Sequence, residues 1–171
     1  GRNVHTTVSR TVASMGIQSG GTLDMQATTG NNLGVISGQG LLRLASVNLP
    51  AGNITQFVSA SGGTIEYYDL GTGTFVLPTV APFTNTYNHL LVSNSTSQSF
   101  ELRTDASITL NGNFSITRTG SGSPTFMVGN TVGNRNFTIN GNFNVGAGCV
   151  FRPSNAYNGN HAMVINGSCT V

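Results

Sequence analysis

The chain has 171 residues, of which 7% are charged and 37% hydrophobic, and its formal net charge is +2. It contains no lysine, and its seven arginines are scattered without forming a basic stripe, which argues against nucleic-acid binding. No apolar run reaches about 18 residues, so we predict no transmembrane segment. Hydrophobic and polar residues alternate in short runs, and this pattern favours an ordered all-β protein over a disordered chain.

The chain opens with a polar stretch, and we interpret residues 1–15 as an entering strand or a linker. Beyond it, short runs that begin with glycine recur after 19 and then 23 residues, at Gly21, Gly40 and Gly63. The runs are rich in Val, Ile, Phe, Thr and Tyr and are bounded by Gly, Asn or Ser, which is typical of strands. No stretch between them has the length and period of a helix.

Two segments interrupt the succession of predicted strands. Pro78 ends the predicted strand Thr74–Leu77, because proline cannot donate a hydrogen bond to a ladder. The residues from Thr79 to Tyr87 are then predicted to leave the coil as a loop, and a second loop is predicted from Arg152 to Asn160.

A seven-residue motif occurs three times, as Leu110–Ile116, Ile139–Val145 and Ile165–Val171, with starts 29 and then 26 residues apart. A strand–turn–strand unit at this spacing is typical of a solenoid. A two-residue hairpin, the other common use of Asn-Gly, explains one copy but not three. The Asn-Gly pair in each copy predicts a turn through positive φ. We therefore predict a parallel β-helix of about six stacked coils over residues 16–171.

The repeat predicts an inward ladder in which Phe114, Phe143 and Cys169 stack on one another. Alternation also places Cys149 on the face of Phe151, towards the interior. A disulfide between Cys149 and Cys169 and two buried free thiols are both compatible with this arrangement. Neither cysteine has a neighbouring histidine or a Cys-x-x-Cys spacing, so we predict no metal or redox role.

Asparagine occupies one turn position in all three copies, at Asn111, Asn140 and Asn166. Stacked side-chain amides satisfy one another's hydrogen bonds, so the pattern predicts an amide ladder along this turn. The functional alternative is that outward rows of Asn, Ser and Thr bind glycans.

Five motifs in the region from Gly38 to Ile116 carry a family resemblance. They are Gly40–Leu44, Leu49–Asn53, Ser61–Tyr68, Tyr87–Val92 and Ile108–Ile116. In content and order they resemble the strand repeats of the very large secreted surface adhesins of Bacteroidota, the group that includes the gliding-motility adhesins. This resemblance implies a β-helical stalk that is exported by the type IX secretion system and displayed at the cell surface. It supplies no catalytic residues.

Polysaccharide lyases and hydrolases are also built on parallel β-helices, and they need acids and bases clustered on one outward face. The five acidic residues are dispersed along the chain: Asp24, Glu66, Asp69, Glu101 and Asp105. We therefore predict no enzymatic activity, no cofactor and no metal site. The candidates for glycan contact are Glu66, Tyr67 and Tyr68, and the competing interpretation of Glu66 is a solvated strand residue with aromatic neighbours.

The predicted function is that of a structural and adhesive module of a large extracellular surface protein. Its expected partners are further coils of its own chain, glycans or other surfaces, and the secretion machinery during export. The alternative is a carbohydrate-active enzyme or a glycan-binding module on the same fold. Nothing from Asn166 to Val171 resembles a solenoid cap, so we expect further coils to follow Val171.

Overall fold

The computed structural model describes residues 2–78, 84–129, 133–154 and 160–171. Within these ranges the chain forms nineteen short strands and no helix, and therefore no helix of the length and apolarity needed to cross a bilayer. The strands pair in parallel with the strands one turn before and one turn after them. This arrangement confirms the predicted parallel β-solenoid.

One side of the solenoid is an eight-stranded sheet, which receives one strand from each turn of the chain and is called the long sheet below. In spatial order its strands are β1 (Asn3–His5), β3 (Thr22–Asp24), β5 (Leu41–Leu44), β7 (Thr64–Tyr68), β10 (His89–Asn94), β13 (Phe114–Arg118), β16 (Phe143–Val145) and β19 (Cys169–Thr170). The seven of these strands that lie within residues 16–171, from β3 to β19, are joined by six turns of the chain, in agreement with the predicted number of about six coils. Strand β1 lies in the segment interpreted as an entering strand or a linker, and it pairs with β3.

The opposite side of the solenoid changes along the axis. In the N-terminal turns it is a three-stranded sheet of β2 (Ser14–Gly16), β4 (Asn32–Ser37) and β6 (Ala51–Asn53). From β7 onwards each turn contributes to two further sheets. One consists of β8 (Gly73–Val76), β11 (Phe100–Thr104), β14 (Pro124–Val128) and β17 (Val150–Arg152). The other consists of β9 (Thr86–Tyr87), β12 (Ile108–Leu110), β15 (Arg135–Ile139) and β18 (His161–Ile165).

The two predicted loops fall partly outside the described residues. Of the segment from Thr79 to Tyr87, residues 79–83 are not described, and its last two residues form β9 in register with β12 instead of a loop. Of the segment from Arg152 to Asn160, residues 155–159 are not described. Longer turns of the chain accompany the third sheet: Thr22 pairs with Leu41, 19 residues on, whereas Phe114 pairs with Phe143, 29 residues on.

Phenylalanine side chains fill the interior of the C-terminal turns. The ring centroid of Phe114 lies 4.9 Å from that of Phe126 and 5.3 Å from that of Phe137, both in edge-on contact. It lies 5.8 Å from the ring of Phe143, which is stacked on it with an interplanar angle of 17°. These rings come from the inward faces of all three sheets, so one aromatic cluster joins the three sides of the solenoid. Such pairs each contribute about 0.5–1.5 kcal/mol beyond the burial of apolar area.

The repeated Asn-Gly pairs do not turn through positive φ, so this part of the prediction is wrong. Gly112, Gly141 and Gly167 all lie outside the left-handed region. Close stacking explains why glycine recurs there. A Cβ atom added to Gly141 would lie 2.4 Å from Asn113 Oδ1, and one added to Gly167 would lie 2.4 Å from the carbonyl oxygen of Gly141. Successive turns approach each other too closely at this position for any side chain.

Candidate functional site

The outer face of the long sheet carries a row of ionisable side chains in its first four strands. The register aligns His5, Asp24, Arg43 and Glu66 along the solenoid axis. Arg43 is central: its Nε donates to Glu66 Oε2 at 2.5 Å, and its Nη1 lies 3.4 Å from Asp24 Oδ2. His5 Nδ1 lies 3.4 Å from the same Asp24 oxygen. We call these residues, together with Tyr68 and Ser93, the outer polar cluster.

Uncharged donors complete the hydrogen bonding of both carboxylates. The hydroxyl of Tyr68 donates to Asp24 Oδ1 at 2.8 Å, and the hydroxyl of Ser93 donates to Glu66 Oε1 at 2.5 Å. As a result Asp24 is only 3% exposed and Glu66 only 6% exposed, although both lie on the outer face of the sheet. Buried charges in proteins need such pairing, because an unpaired one loses its hydration without compensation.

The electrostatics of the cluster keep Arg43 and Tyr68 protonated. Partial burial by itself lowers the pKa of Arg43, but its hydrogen bond to Glu66 and the charges of Glu66 and Asp24 outweigh burial and raise the pKa above the usual value. Burial and the hydrogen bond to Asp24 raise the pKa of Tyr68. The guanidinium Cζ also lies 4.0 Å above the centre of the Tyr68 ring, in a cation–π contact.

The three residues predicted as glycan contacts are divided between the two faces of β7. Glu66 and Tyr68 point outward into the outer polar cluster, whereas Tyr67 is fully buried in the core. The prediction of a glycan contact for Tyr67 is therefore wrong, because the two-residue period of a strand sends it inward. The competing interpretation of Glu66 as a solvated residue is also wrong, since Arg43 and Ser93 cover both of its carboxylate oxygens.

The cluster corrects the expectation that the acidic residues stay dispersed. Two turns of the solenoid bring Asp24 and Glu66 to the same guanidinium, that of Arg43. Glycoside hydrolysis uses two carboxyl groups that act separately on a bound sugar, whereas here one cation lies between them. Within the part of the chain that the structure describes, no group of three or more His, Cys, Asp and Glu side chains is arranged to hold a metal ion.

The predicted inward ladder has the expected register. Phe114 pairs with Phe143, and Phe143 pairs with Cys169. Cys169 is nevertheless exposed rather than buried, because β19 is the outermost strand of the long sheet. Cys149 is half-buried against the core, and burial raises the pKa of its thiol although the charge of Arg118 opposes this. Both thiols are free, so of the two alternatives for the cysteines the disulfide is not formed.

The predicted amide ladder forms at one of its two steps. Asn166 Nδ2 donates to Asn140 Oδ1 at 2.8 Å. The third member, Asn111, instead donates from Nδ2 to the backbone carbonyl of Val58 at 3.1 Å. It thereby ties the turn that follows β6 to a later turn of the chain.

A second ladder, which sequence reasoning missed, lies two residues after the first. The backbone N–H of Asn142 donates to Asn113 Oδ1 at 2.8 Å, and that of Ser168 donates to Asn142 Oδ1 at 3.0 Å. One turn earlier, the N–H of Asn113 donates to His89 Nδ1 at 2.9 Å. Each side chain thus accepts a hydrogen bond from the backbone of the next turn. In the sequence, this ladder could have been predicted from the second asparagine of the two Asn-Gly-Asn motifs, at Asn113 and Asn142.

We expect His89→Asn to reduce the acid sensitivity of the fold. His89 Nδ1 must be unprotonated to accept from Asn113, and burial lowers the pKa of His89 below its ordinary value. The unfolded chain therefore binds the proton first, and stability falls as the pH drops from about 6.5 through the lowered native pKa. Asparagine, the residue that the ladder uses in the next two turns, accepts without titrating.

Urea unfolding at about pH 7.5 and about pH 5 checks this expectation. The difference between the two pH values should be smaller in His89→Asn by about 1 kcal/mol. The matched variant His89→Ala, which has no acceptor, should be destabilised at both pH values. Equal pH dependence in the wild type and His89→Asn would contradict the assigned role of Nδ1.

The fold and the repeated ladders define the chain as a β-solenoid repeat protein. Comparison of the chain with protein-family models, with curated proteins and with solved structures gives no match.

Proposed function

We propose that the chain is a structural and adhesive module of a large secreted bacterial surface protein. In this proposal it belongs with the gliding-motility type of Bacteroidota adhesins, is exported by the type IX secretion system and acts at the cell surface. The observation that carries the structural part of the proposal is the long sheet, in which eight parallel strands connect every turn of the chain from Asn3 to Thr170. The type of adhesin and the route of export rest on the resemblance of the motifs between Gly38 and Ile116.

The direction of the hydrogen bonds suits such a module. In a solenoid the strands lie across the axis, so the hydrogen bonds between turns point along it, and a pull along the axis loads them together. Side chains add bonds in the same direction outside the long sheet. Ser99 Oγ accepts from the N–H of Ser123 at 2.9 Å, and Ser107 Oγ accepts from the N–H of Asn136 at 3.0 Å. These contacts support a stiff, load-bearing role.

Two measurements test the proposal. Beads coated with the purified chain should be retained under flow on polysaccharide gels, and beads coated with albumin should not. Antibodies against the chain should label intact cells of the source organism, and this labelling should disappear when type IX secretion is inactivated. Retention no better than that of albumin would contradict the adhesive role, and a signal found only after lysis would contradict the location.

A carbohydrate-active enzyme is the second candidate, because the outer polar cluster brings two carboxylates, those of Asp24 and Glu66, close together. We expect no turnover, because both carboxylates are committed to Arg43. Incubation with neutral and acidic polysaccharides should release neither reducing ends nor unsaturated sugars. Product formation that disappears in Glu66→Gln would establish the enzyme in place of the adhesive module.

A further inference from the structure

We propose that the N-terminal turns of the solenoid carry a binding groove for a neutral oligosaccharide, on the edge where the chain enters the long sheet. The groove consists of two depressions with volumes of about 590 Å³ and 660 Å³. They adjoin at Thr55 and Ser59, which line both. This inference rests on the proposed adhesive function, since it names the surface through which adhesion would occur.

The groove runs along the solenoid axis. Three glutamines line the first depression, one from each of three successive turns: Gln18, Gln39 and Gln56. The second depression continues over the next two turns, where Thr86 and Asn111 line it. Neighbouring strands are about 4.8 Å apart, so five turns span roughly 20 Å, which is enough for several sugar rings in an extended chain.

The chemistry of the lining selects a neutral, hydroxyl-rich ligand. Neither depression is lined by a charged side chain among the described residues. An anionic sugar would therefore lose hydration there without gaining a counter-charge. Primary amides and hydroxyls both donate and accept hydrogen bonds, as sugar hydroxyls do. Within the described ranges, the side-chain amides of Gln18, Gln39 and Gln56 have no hydrogen-bond partner and are exposed, so they are available to a ligand.

The segment between the two depressions, residues 54–62, is held in position by hydrogen bonds before any ligand binds. Asn111 Nδ2 donates to the carbonyl of Val58, and Asn88 Nδ2 donates to the carbonyl of Gly62 at 2.7 Å. Phe57 is fully buried beneath this segment, while half-buried Ile54 gives the second depression an apolar contact for the C–H face of a sugar. A segment that is already ordered reduces the entropy that binding must overcome.

The groove exists because the solenoid changes its cross-section at this point. The sheet that ends with β6 and the sheet that begins with β9 do not pair with each other. The segment that follows β6 lies between these two sheets, and one of the two depressions lies on each side of it. Because the groove is open and no aromatic side chain lines it in the described residues, we expect weak binding that gains strength from several modules acting together.

The test is an NMR titration of the whole chain with cellohexaose, laminarihexaose and maltohexaose, and with oligogalacturonate as the charged control. We expect at least one neutral hexasaccharide to shift the side-chain amides of the three glutamines, and oligogalacturonate to leave them unchanged. The triple variant Gln18→Ala, Gln39→Ala, Gln56→Ala should bind at least about tenfold more weakly, a loss of about 1.4 kcal/mol. Its matched control is Gln98→Ala, which removes an exposed glutamine that lines neither depression and should bind as the wild type does.

Each other outcome overturns the groove. Undiminished binding by the triple variant would move the sugar site elsewhere and leave the adhesive function standing. Preferential binding of oligogalacturonate would refute the neutral ligand class. Absence of binding by all four sugars would refute the inference, while bead retention under flow decides the adhesive function independently.

Discussion

Replacing Phe114 with aspartate is expected to abolish the cooperative fold of the C-terminal turns. The Phe114 ring is fully buried and contacts the rings of Phe126, Phe137 and Phe143. Loss of the ring alone costs about 3–5 kcal/mol, and a buried carboxylate without a partner adds several more. The sum approaches or exceeds the total stability of a typical domain, about 5–15 kcal/mol.

The neighbouring substitution Ser115→Asp is the matched control, because Ser115 belongs to the same strand and points outward. It should change the free energy of unfolding by less than about 1 kcal/mol. Circular dichroism gives the thermal midpoint, and hydrogen exchange shows which turns lose protection. Because the contacts of a solenoid turn are mainly with the adjacent turns, protection should be lost around β13 and retained around β3 and β5. An unchanged midpoint in Phe114→Asp would reject the inward assignment of this strand.

Replacing Arg43 with methionine is expected to destabilise the N-terminal turns by about 2–3 kcal/mol. The change keeps most of the side-chain volume but leaves Asp24 and Glu66 buried without a cation. Breaking a fully buried pair costs about 3–5 kcal/mol, and we reduce this figure because the side chain of Arg43 is 30% exposed and partly screened by solvent.

Two further variants decide whether the cost comes from the unpaired carboxylates. Adding Glu66→Gln to Arg43→Met should recover part of the loss, because it removes one of the uncompensated charges. Arg152→Met breaks the more exposed pair with Glu101, at 3.3 Å, and should cost less than about 1 kcal/mol in urea unfolding. If Arg43→Met costs no more than Arg152→Met, the outer polar cluster does not stabilise the fold.

Sequence patterns predicted the features that depend on period and repeat alone. The threefold motif is long enough to align Phe114, Phe143 and Cys169, and strand alternation then determines which side chains face inward. Burial of Cys169 did not follow, because burial also requires a covering turn. The predicted positive φ of Gly112 was wrong. Glycine permits both a positive φ and the close approach of another turn, and a single sequence does not distinguish these two uses.

The outer polar cluster was accessible in principle but was missed. Asp24, Arg43 and Glu66 each stand three residues after a glycine of the N-terminal repeat, at Gly21, Gly40 and Gly63. Those repeats predict the alignment once each run is treated as one turn. The contributions of Tyr68 and Ser93 were not predictable in this way, since they depend on side-chain orientation across turns of unequal length.

The change from two strands per turn to three makes the N-terminal turns of the solenoid shorter in sequence than the C-terminal ones. The turn from Thr22 to Leu41 is short, and a turn of this length can pack fully against another short turn. Against a long turn, such as that from Phe114 to Phe143, it would leave part of the longer turn uncovered. We therefore expect gain or loss of whole turns by duplication or deletion to be tolerated within the narrow part or within the wide part, and to be disfavoured at the junction between them. In a filament of many such units, this junction would act as an adapter that joins a thin rod to a thick one and fixes the direction in which the two are connected.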